Sequence, residues 1–240
     1  VRREILAMLV RCALRRGDYT QAGTQFLAIA QSDPETRHYR LAPLVWSEAQ
    51  VAPPLREQAR IWLERSTDAD RLLAASVLLE DPQLGDDAET ALRRLSASTN
   101  ESVRLLARTQ LWRVRLREGE LTRGEPAQWQ AQIDTMPEDL RGGPYFLLAQ
   151  AYERRREDDR AAAAFLWLPV VSPHDHHLAA RACVEAADAL VRTGRKTEAV
   201  TLYREAVFRY RDTVSAVKAD EILTTLQADV DSQDDQPEPE

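Results

Sequence analysis

The side chains best suited to binding a metal lie in one short segment, His174-Asp175-His176-His177, directly after Pro173. Imidazole and carboxylate groups ligate divalent ions, but a metal site needs its ligands to converge on one centre. Adjacent residues point in different directions, and no further ligand follows at helical spacing. The segment therefore favours a hydrophilic loop between two helices, and we expect neither a metal nor another cofactor.

The acidic pairs Asp86-Asp87 and Asp158-Asp159 are the best candidates for acid–base catalysis. Such catalysis needs two carboxyl groups held across a cleft with separated pKa values. These pairs are instead sequence neighbours at predicted helix starts, where negative charge complements the helix dipole. The chain also lacks a G-x-S-x-G nucleophile turn and a glycine-rich phosphate loop. We therefore expect a protein that is not an enzyme.

The run from Glu153 to Arg160 is the densest charge cluster in the chain. It could bind an acidic partner, yet alternating signs at helical spacing are more typical of an ion-paired face exposed to solvent. The net charge of -7 argues against binding a nucleic acid, because that function requires clustered cations. The sequence has no apolar run of about 18 residues, so no membrane span is expected.

Composition favours a helical protein with a sizeable core. Hydrophobic residues make up 44% of the 240 residues, but only 6% are aromatic, and Ala, Leu, Arg and Glu recur throughout. Cys12 and Cys183 lie far apart among apolar positions of predicted helices, where a free cysteine acts as a small hydrophobe. Five tryptophans are expected in the core and between repeats rather than on a carbohydrate platform: Trp46, Trp62, Trp112, Trp129 and Trp167.

Three stretches repeat one order of small and apolar residues over two successive helices. The first comprises Leu6, Leu9, Val10, Ala13, Gly17, Ala22, Phe26, Ile29 and Pro34. The second comprises Tyr145, Leu148, Ala149, Tyr152, Ala161, Phe165, Leu168 and Pro173. The third comprises Cys183, Ala186, Ala187, Leu190, Gly194, Ala199, Tyr203 and Ala206. Phe165 and Tyr203 hold the same place, so the last two copies are offset by 38 residues.

This pattern resembles the tetratricopeptide repeat, whose second helix carries a small residue, an aromatic residue four positions later and a closing proline. Ala199 and Tyr203 match the first two features in the third copy. The resemblance implies an all-α fold, a right-handed α-solenoid of antiparallel helical hairpins. Two positions depart from the family: Arg211 stands where the closing proline is expected, and Val10 stands where Gly or Ala is preferred.

The central block has a weaker repeat of its own. Arg71-Leu72-Leu73-Ala74 recurs as Arg104-Leu105-Leu106-Ala107, and each follows a helix-capping segment, Thr67-Asp68 or Thr99-Asn100-Glu101. Two helix pairs of this kind resemble HEAT repeats. The predicted organisation is a hairpin over 1–36, irregular HEAT-like or tetratricopeptide-like repeats over 37–137, two hairpins with a capping helix over 138–229, and a disordered acidic tail over 230–240.

In tetratricopeptide proteins the first helices of successive repeats line a concave surface that holds an extended peptide or a helix. The resemblance therefore implies a groove lined by one set of residues from each copy. These residues are Arg11, Leu14 and Arg15 in the first copy, Phe146, Gln150, Glu153 and Arg154 in the second, and Val184, Asp188 and Arg192 in the third. The Lys and Asn clamp for a C-terminal carboxylate, found in one subclass, is absent from these positions.

We therefore predict a non-catalytic scaffold that binds a peptide or a helix of a partner protein. Two alternatives stay open. A self-assembling module, paired into a homo-oligomer, would show a contiguous apolar patch on a terminal hairpin. An enzyme with a site in the solenoid cavity would show buried acids with perturbed pKa values around one pocket.

The third copy is also similar to repeats of bacterial envelope-assembly proteins. Tyr203-Arg204-Glu205-Ala206 followed by Arg209-Tyr210 carries this similarity, and the chain begins with Val1 rather than Met. Both features favour an extracytoplasmic bacterial location over a cytoplasmic one.

Overall fold

The structure is a computed structural model that describes residues 9, 21, 44–46, 53–65, 67–119, 121–171 and 175–234. These residues form ten α-helices and one short 3-10 helix, Glu138–Leu140, and they contain no strand. The α-helices are α1 Pro53–Arg65, α2 Asp68–Leu78, α3 Gly85–Leu95, α4 Glu101–Glu118, α5 Glu125–Asp134, α6 Gly142–Arg154, α7 Asp158–Val171, α8 His176–Arg192, α9 Lys196–Arg209 and α10 Val214–Asp234. The prediction of an all-α fold is confirmed.

Helices that follow one another in the chain pack against each other. This holds from α1 to α4 and again from α7 to α10, and the next-but-one pairs α2 with α4 and α8 with α10 are also in contact. Such packing is the pattern of stacked helical hairpins, as predicted for a helical-repeat protein. The chain forms two compact units, residues 1–151 and 152–240.

Polar side chains begin the helices of the central block as the sequence predicts. The Thr67 hydroxyl accepts a hydrogen bond from the backbone N–H of Asp70 at 3.3 Å and caps α2. The Asn100 side chain accepts one from the N–H of Val103 at 3.2 Å and caps α4. These caps satisfy backbone donors that a helix leaves free at its N-terminus.

Large aromatic side chains fill the core of the first unit. Trp112 and Trp129 stack with ring centroids 4.5 Å apart and planes 2° from parallel. Trp46 packs directly on Gly143, where an added Cβ would lie 1.9 Å from the indole ring. These three tryptophans and Trp62 are buried, and Trp167 is partly exposed, so the predicted core role of the tryptophans is confirmed for the buried four.

A buried arginine also lies in this core. The Arg113 guanidinium donates to the carbonyl oxygens of Val45 at 2.9 Å and Ser76 at 2.8 Å, and it forms an ion pair with Glu80. Gln110 accepts from Arg113 at 3.0 Å and donates to Val45 at 3.0 Å. Because burying a charge is costly unless it is paired and hydrogen-bonded, these contacts make the buried position tolerable.

The core of the second unit is built from small side chains around two large ones. Phe165 on α7 and Tyr203 on α9 are buried, as are the aligned small residues Ala161 and Ala199. Helix α8 buries six alanines: Ala179, Ala180, Ala182, Ala186, Ala187 and Ala189. Small side chains allow close helix approach, which is the packing that the repeat pattern predicts.

The turns after α6 and α8 have the same hydrogen bonds at the predicted offset of 38 residues. The N–H of Glu157 bonds to the carbonyl of Tyr152 at 3.0 Å, and that of Arg195 bonds to the carbonyl of Leu190 at 2.9 Å. This six-residue closure requires a left-handed residue just before the donor. Gly194 fills that place in one turn with φ 81°, and Arg156 fills it in the other with φ 59°.

Some predictions differ from the structure or lie outside the described residues. The segment predicted as a loop after Pro173 begins helix α8 at His176, because Asp175 caps the helix by accepting from the N–H of Leu178 at 3.1 Å. Helix α10 extends to Asp234, so residues 230–234 of the predicted tail are helical. Leu9, predicted on a buried stripe, is 43% exposed. Apart from Leu9 and Gln21, the predicted hairpin over 1–36, which includes Cys12, lies outside the described residues, and so do residues 235–240.

Candidate functional site

The predicted groove residues fall into three groups in the structure. Arg11, Leu14 and Arg15 lie outside the described residues. Phe146 and Val184 are only 0% and 1% exposed, so they belong to the core and cannot line an accessible surface. This corrects the sequence interpretation, because both were assigned from an exposed position in the family pattern. Five remain at least partly exposed: Gln150, Glu153, Arg154, Asp188 and Arg192.

Arg192 joins the last turn of α8 to the end of α6 and the start of α7. Its Nη2 donates to Glu153 Oε1 at 2.7 Å, and its Nε donates to Asp158 Oδ1 at 2.7 Å. The two carboxylates share one guanidinium through charge-assisted hydrogen bonds. Glu153 and Arg192 were both predicted on one surface, and the structure brings them into direct contact.

Asp188, one turn earlier on α8, makes a second junction. It accepts a hydrogen bond from the Tyr203 hydroxyl of α9 and another from Lys218 Nζ of α10 at 3.1 Å. The carboxylate therefore holds α9 and α10 against α8. The sequence pattern did not single out Lys218, since α10 was interpreted as a cap rather than as a helix that lines the surface.

Glu153, Asp188, Arg192 and Lys218 thus form a row of charged side chains on α6, α8 and α10, which we call the alternate-helix row. Each helix in the row is separated from the next by one intervening helix in the chain. The ion pairs run from Glu153 to Arg192 and from Asp188 to Lys218. Arg154 is exposed beside Glu153 and makes no ion pair within the part of the chain that the structure describes.

Burial and neighbouring charges set the protonation of these groups. Burial raises the pKa of Glu153, and Glu185 and Asp158 act in the same direction against the attraction of Arg192. Desolvation opposes the charge of Arg192, but its bonds to Asp158 and Glu153 outweigh this and raise its pKa. Burial and the hydrogen bond to Asp188 raise the pKa of Tyr203, so its hydroxyl stays protonated and donates.

Among the described residues, the two acids whose pKa values burial raises, Glu153 and Asp175, lie far apart. Burial raises the pKa of Asp175, which caps the start of α8, whereas Glu153 contacts Arg192 at the other end of the same helix. Seventeen residues of helix separate these ends by about 25 Å at about 1.5 Å per residue. General acid–base pairs need much closer carboxyl groups.

The other candidates from the sequence lie at helix starts, in ion pairs or in the core. Asp86-Asp87 and Asp158-Asp159 lie in the first turns of α3 and α7, as predicted. Within the charged run, Glu157 pairs with Arg155 at 2.8 Å and with Arg160 at 2.9 Å, which confirms an ion-paired face. Burial raises the pKa of the Cys183 thiol to about 12, which favours its neutral form in the core.

Within the described ranges, no group of three or more His, Cys, Asp or Glu side chains could hold a metal ion. No helix formed by these residues is both long enough and apolar enough to cross a membrane.

A comparison with protein-family models finds no match for this chain. Comparisons with curated proteins and with solved structures also find none.

Proposed function

We propose that this protein is a non-catalytic scaffold that binds a segment of a partner protein along the alternate-helix row. The observation that carries the proposal is the linkage of Glu153, Asp188, Arg192 and Lys218 across three alternate helices. A row of this kind gives one continuous surface to which each hairpin contributes side chains. The resemblance to tetratricopeptide repeats supports the same role, because those repeats use their first helices for binding.

The charges of the row favour a partner segment of complementary charge. Arg192 and Lys218 are already paired with acids, and Arg154 is left to attract an acidic residue. Pre-formed ion pairs fix the positions of the side chains. They therefore contribute more to the register and selectivity of partner binding than to its affinity. The partner is therefore an extended or helical segment of complementary charge, with an acidic residue opposite Arg154, held at moderate affinity.

Photo-crosslinking at Arg154 tests this proposal in the intact chain. Arg154 is exposed, so a photoreactive amino acid at this position should leave the helices intact. We expect it to form a covalent adduct with a specific polypeptide in the source cell. Circular dichroism of each variant verifies that the helical content is retained.

Arg123 provides the matched control, because it is exposed in a turn of the first unit, whereas the residues of the row belong to the second. The same photoreactive amino acid at position 123 should not form that adduct. The charge reversal Arg154→Glu should then reduce capture of the identified polypeptide by about 10-fold, whereas Arg123→Glu should change it by less than about 2-fold. Equal capture by both reversals, or no adduct at position 154, would contradict the proposal.

A further inference from the structure

A second surface lies at the corner where α9 meets α10, and it is defined by Arg204, Phe208, Arg211, Val214 and Val217. Phe208 is 81% exposed, Val214 is 66% exposed and Val217 is 57% exposed. Half of the six large exposed hydrophobic side chains among the described residues thus occur within ten consecutive positions. Grouped exposed apolar side chains mark interaction sites, whereas single ones are ordinary.

The backbone at this corner is held firmly. Tyr210 and Thr213 are buried, and the N–H of Thr213 donates to the carbonyl of Tyr210 at 2.9 Å. The Thr213 hydroxyl accepts from the N–H of Ala216 at 3.2 Å and so caps the start of α10. Phe208, near the end of α9, and Val214, the first residue of α10, therefore lie on either side of a fixed turn between two helices that pack on each other.

Two arginines at the corner have no ion pair within the described ranges. Arg204 lies four residues before Phe208 on the same face of α9, and Arg211 lies three residues after it; both are exposed. Arg209 by contrast pairs with Glu205 at 3.2 Å. The stretch 204–217 carries three arginines and two acids, in a chain whose net charge is -7. With three arginines and two acids the stretch has a net charge of +1, and the charges not used in an ion pair within it are Arg204, Arg211 and Asp212.

We propose that this corner docks an acidic amphipathic segment of a partner protein, with apolar anchors on Phe208, Val214 and Val217. Unpaired guanidinium groups bind carboxylates bidentately, and a central apolar anchor with a polar rim is the usual form of an interface. A second copy of this chain would bring the same net positive stretch, 204–217, to the corner and would not supply an acidic complement to it. The proposal does not rest on the function proposed for the alternate-helix row.

Selection from a random 12-residue peptide library displayed on phage tests the inference with the full chain. Peptides that bind the parent but not Phe208→Ser should be enriched in Asp or Glu together with Leu, Phe or Trp. Because Phe208 is largely exposed, this substitution should leave the circular dichroism spectrum and the Tm unchanged. A selected set that is neutral or basic, or that binds Phe208→Ser equally well, would overturn the proposal.

A selected peptide then allows the charges to be tested by titration. Arg204→Glu and Arg211→Glu together should raise its Kd by at least about 10-fold. Lys196→Glu, which changes an exposed cation at the other end of α9, should change the Kd by less than about 2-fold. Equal effects of both changes would overturn the role of the arginines. Light scattering of the parent chain and of Phe208→Ser tests for self-association. A parent dimer that the substitution converts to a monomer would assign the corner to a second copy of this chain and would overturn the proposal.

Discussion

The cores of the two units are built from different kinds of side chain. The first unit stacks tryptophans and buries the Arg113 guanidinium among backbone carbonyls, whereas the second packs alanines of α8 around Phe165 and Tyr203. Large rings leave irregular gaps between helices that a polar network can fill, while small side chains let helices approach closely. The first core therefore depends on the hydrogen bonds and the ion pair of Arg113, and the second depends on side chains small enough for close helix packing.

Removing the buried cation should have the largest effect. We expect Arg113→Met to lower the free energy of unfolding by about 3 kcal/mol, because Glu80 and the carbonyl of Ser76 lose their donors. Arg108→Met, an exposed change on the same helix, should cost less than about 0.5 kcal/mol. Urea denaturation followed by circular dichroism measures both. Similar losses would mean that the polar network does not hold the first core together.

Adding bulk to the second core should be the next most damaging change. Ala187 on α8 is buried, so Ala187→Leu forces neighbouring side chains out of place and should cost about 2 kcal/mol. Ala163→Leu on α7 adds the same atoms at an exposed position and should be nearly neutral. The same denaturation experiment compares the pair. If Ala187→Leu were tolerated, the second core would not be limited by close helix approach.

Asp81 should make the stability of the first unit depend on acid pH. Its hydrogen bond with Arg56 lowers its pKa to about 2, and the N–H groups of Gln83 and Leu84 also favour the carboxylate. A lowered pKa in the folded state stabilises the fold above the unfolded pKa of about 3.8 and loses that effect as the pH falls towards 2.

We therefore expect Asp81→Asn to cost about 1 kcal/mol at pH 6, with the difference from the parent shrinking between pH 4 and pH 2. Hydrogen exchange of α1 and α3 amides across this pH range measures the difference. Asp139→Asn, at an exposed site, should show no such dependence. A constant difference down to pH 2 would exclude a role for the carboxylate charge.

The glycine of the second turn should matter by a smaller amount. Gly194 has φ 81°, a conformation that disfavours any residue with a Cβ, so Gly194→Ala should lower the Tm and cost about 1 kcal/mol. Gly124→Ala is the control, because Gly124 has an ordinary φ of -91°. Thermal melts followed by circular dichroism compare the two. Equal Tm changes in the two variants would mean that the cost of Gly194→Ala does not come from the left-handed backbone at this position.

The smallest expected change is an increase in stability. Arg156 takes the place of Gly194 in the matching turn with φ 59°, so Arg156→Gly should stabilise the second unit by about 0.5 kcal/mol. Arg156→Ala retains the strained backbone and should give no gain. A gain from Ala equal to that from Gly would point to the arginine side chain instead of the backbone.

The sequence predicted the helices and the small-residue core well, because both follow from local spacing. Ala161, Ala199, Phe165 and Tyr203 are buried as the repeat pattern requires. The site was harder to predict, since exposure depends on the neighbouring helices rather than on the helix itself. Phe146 and Val184 lie in the core for this reason, and Lys218 reaches Asp188 from a helix 30 residues further along the chain.

The placement of the tryptophans gives the molecule an internal optical label. Trp46, Trp62, Trp112 and Trp129 belong to the first unit, and only Trp167 belongs to the second. In a Trp167→Phe chain, indole fluorescence would come from the first unit alone, while the helical signal at 222 nm would still come from both. The emission of one chain can therefore show whether the two units unfold together or separately.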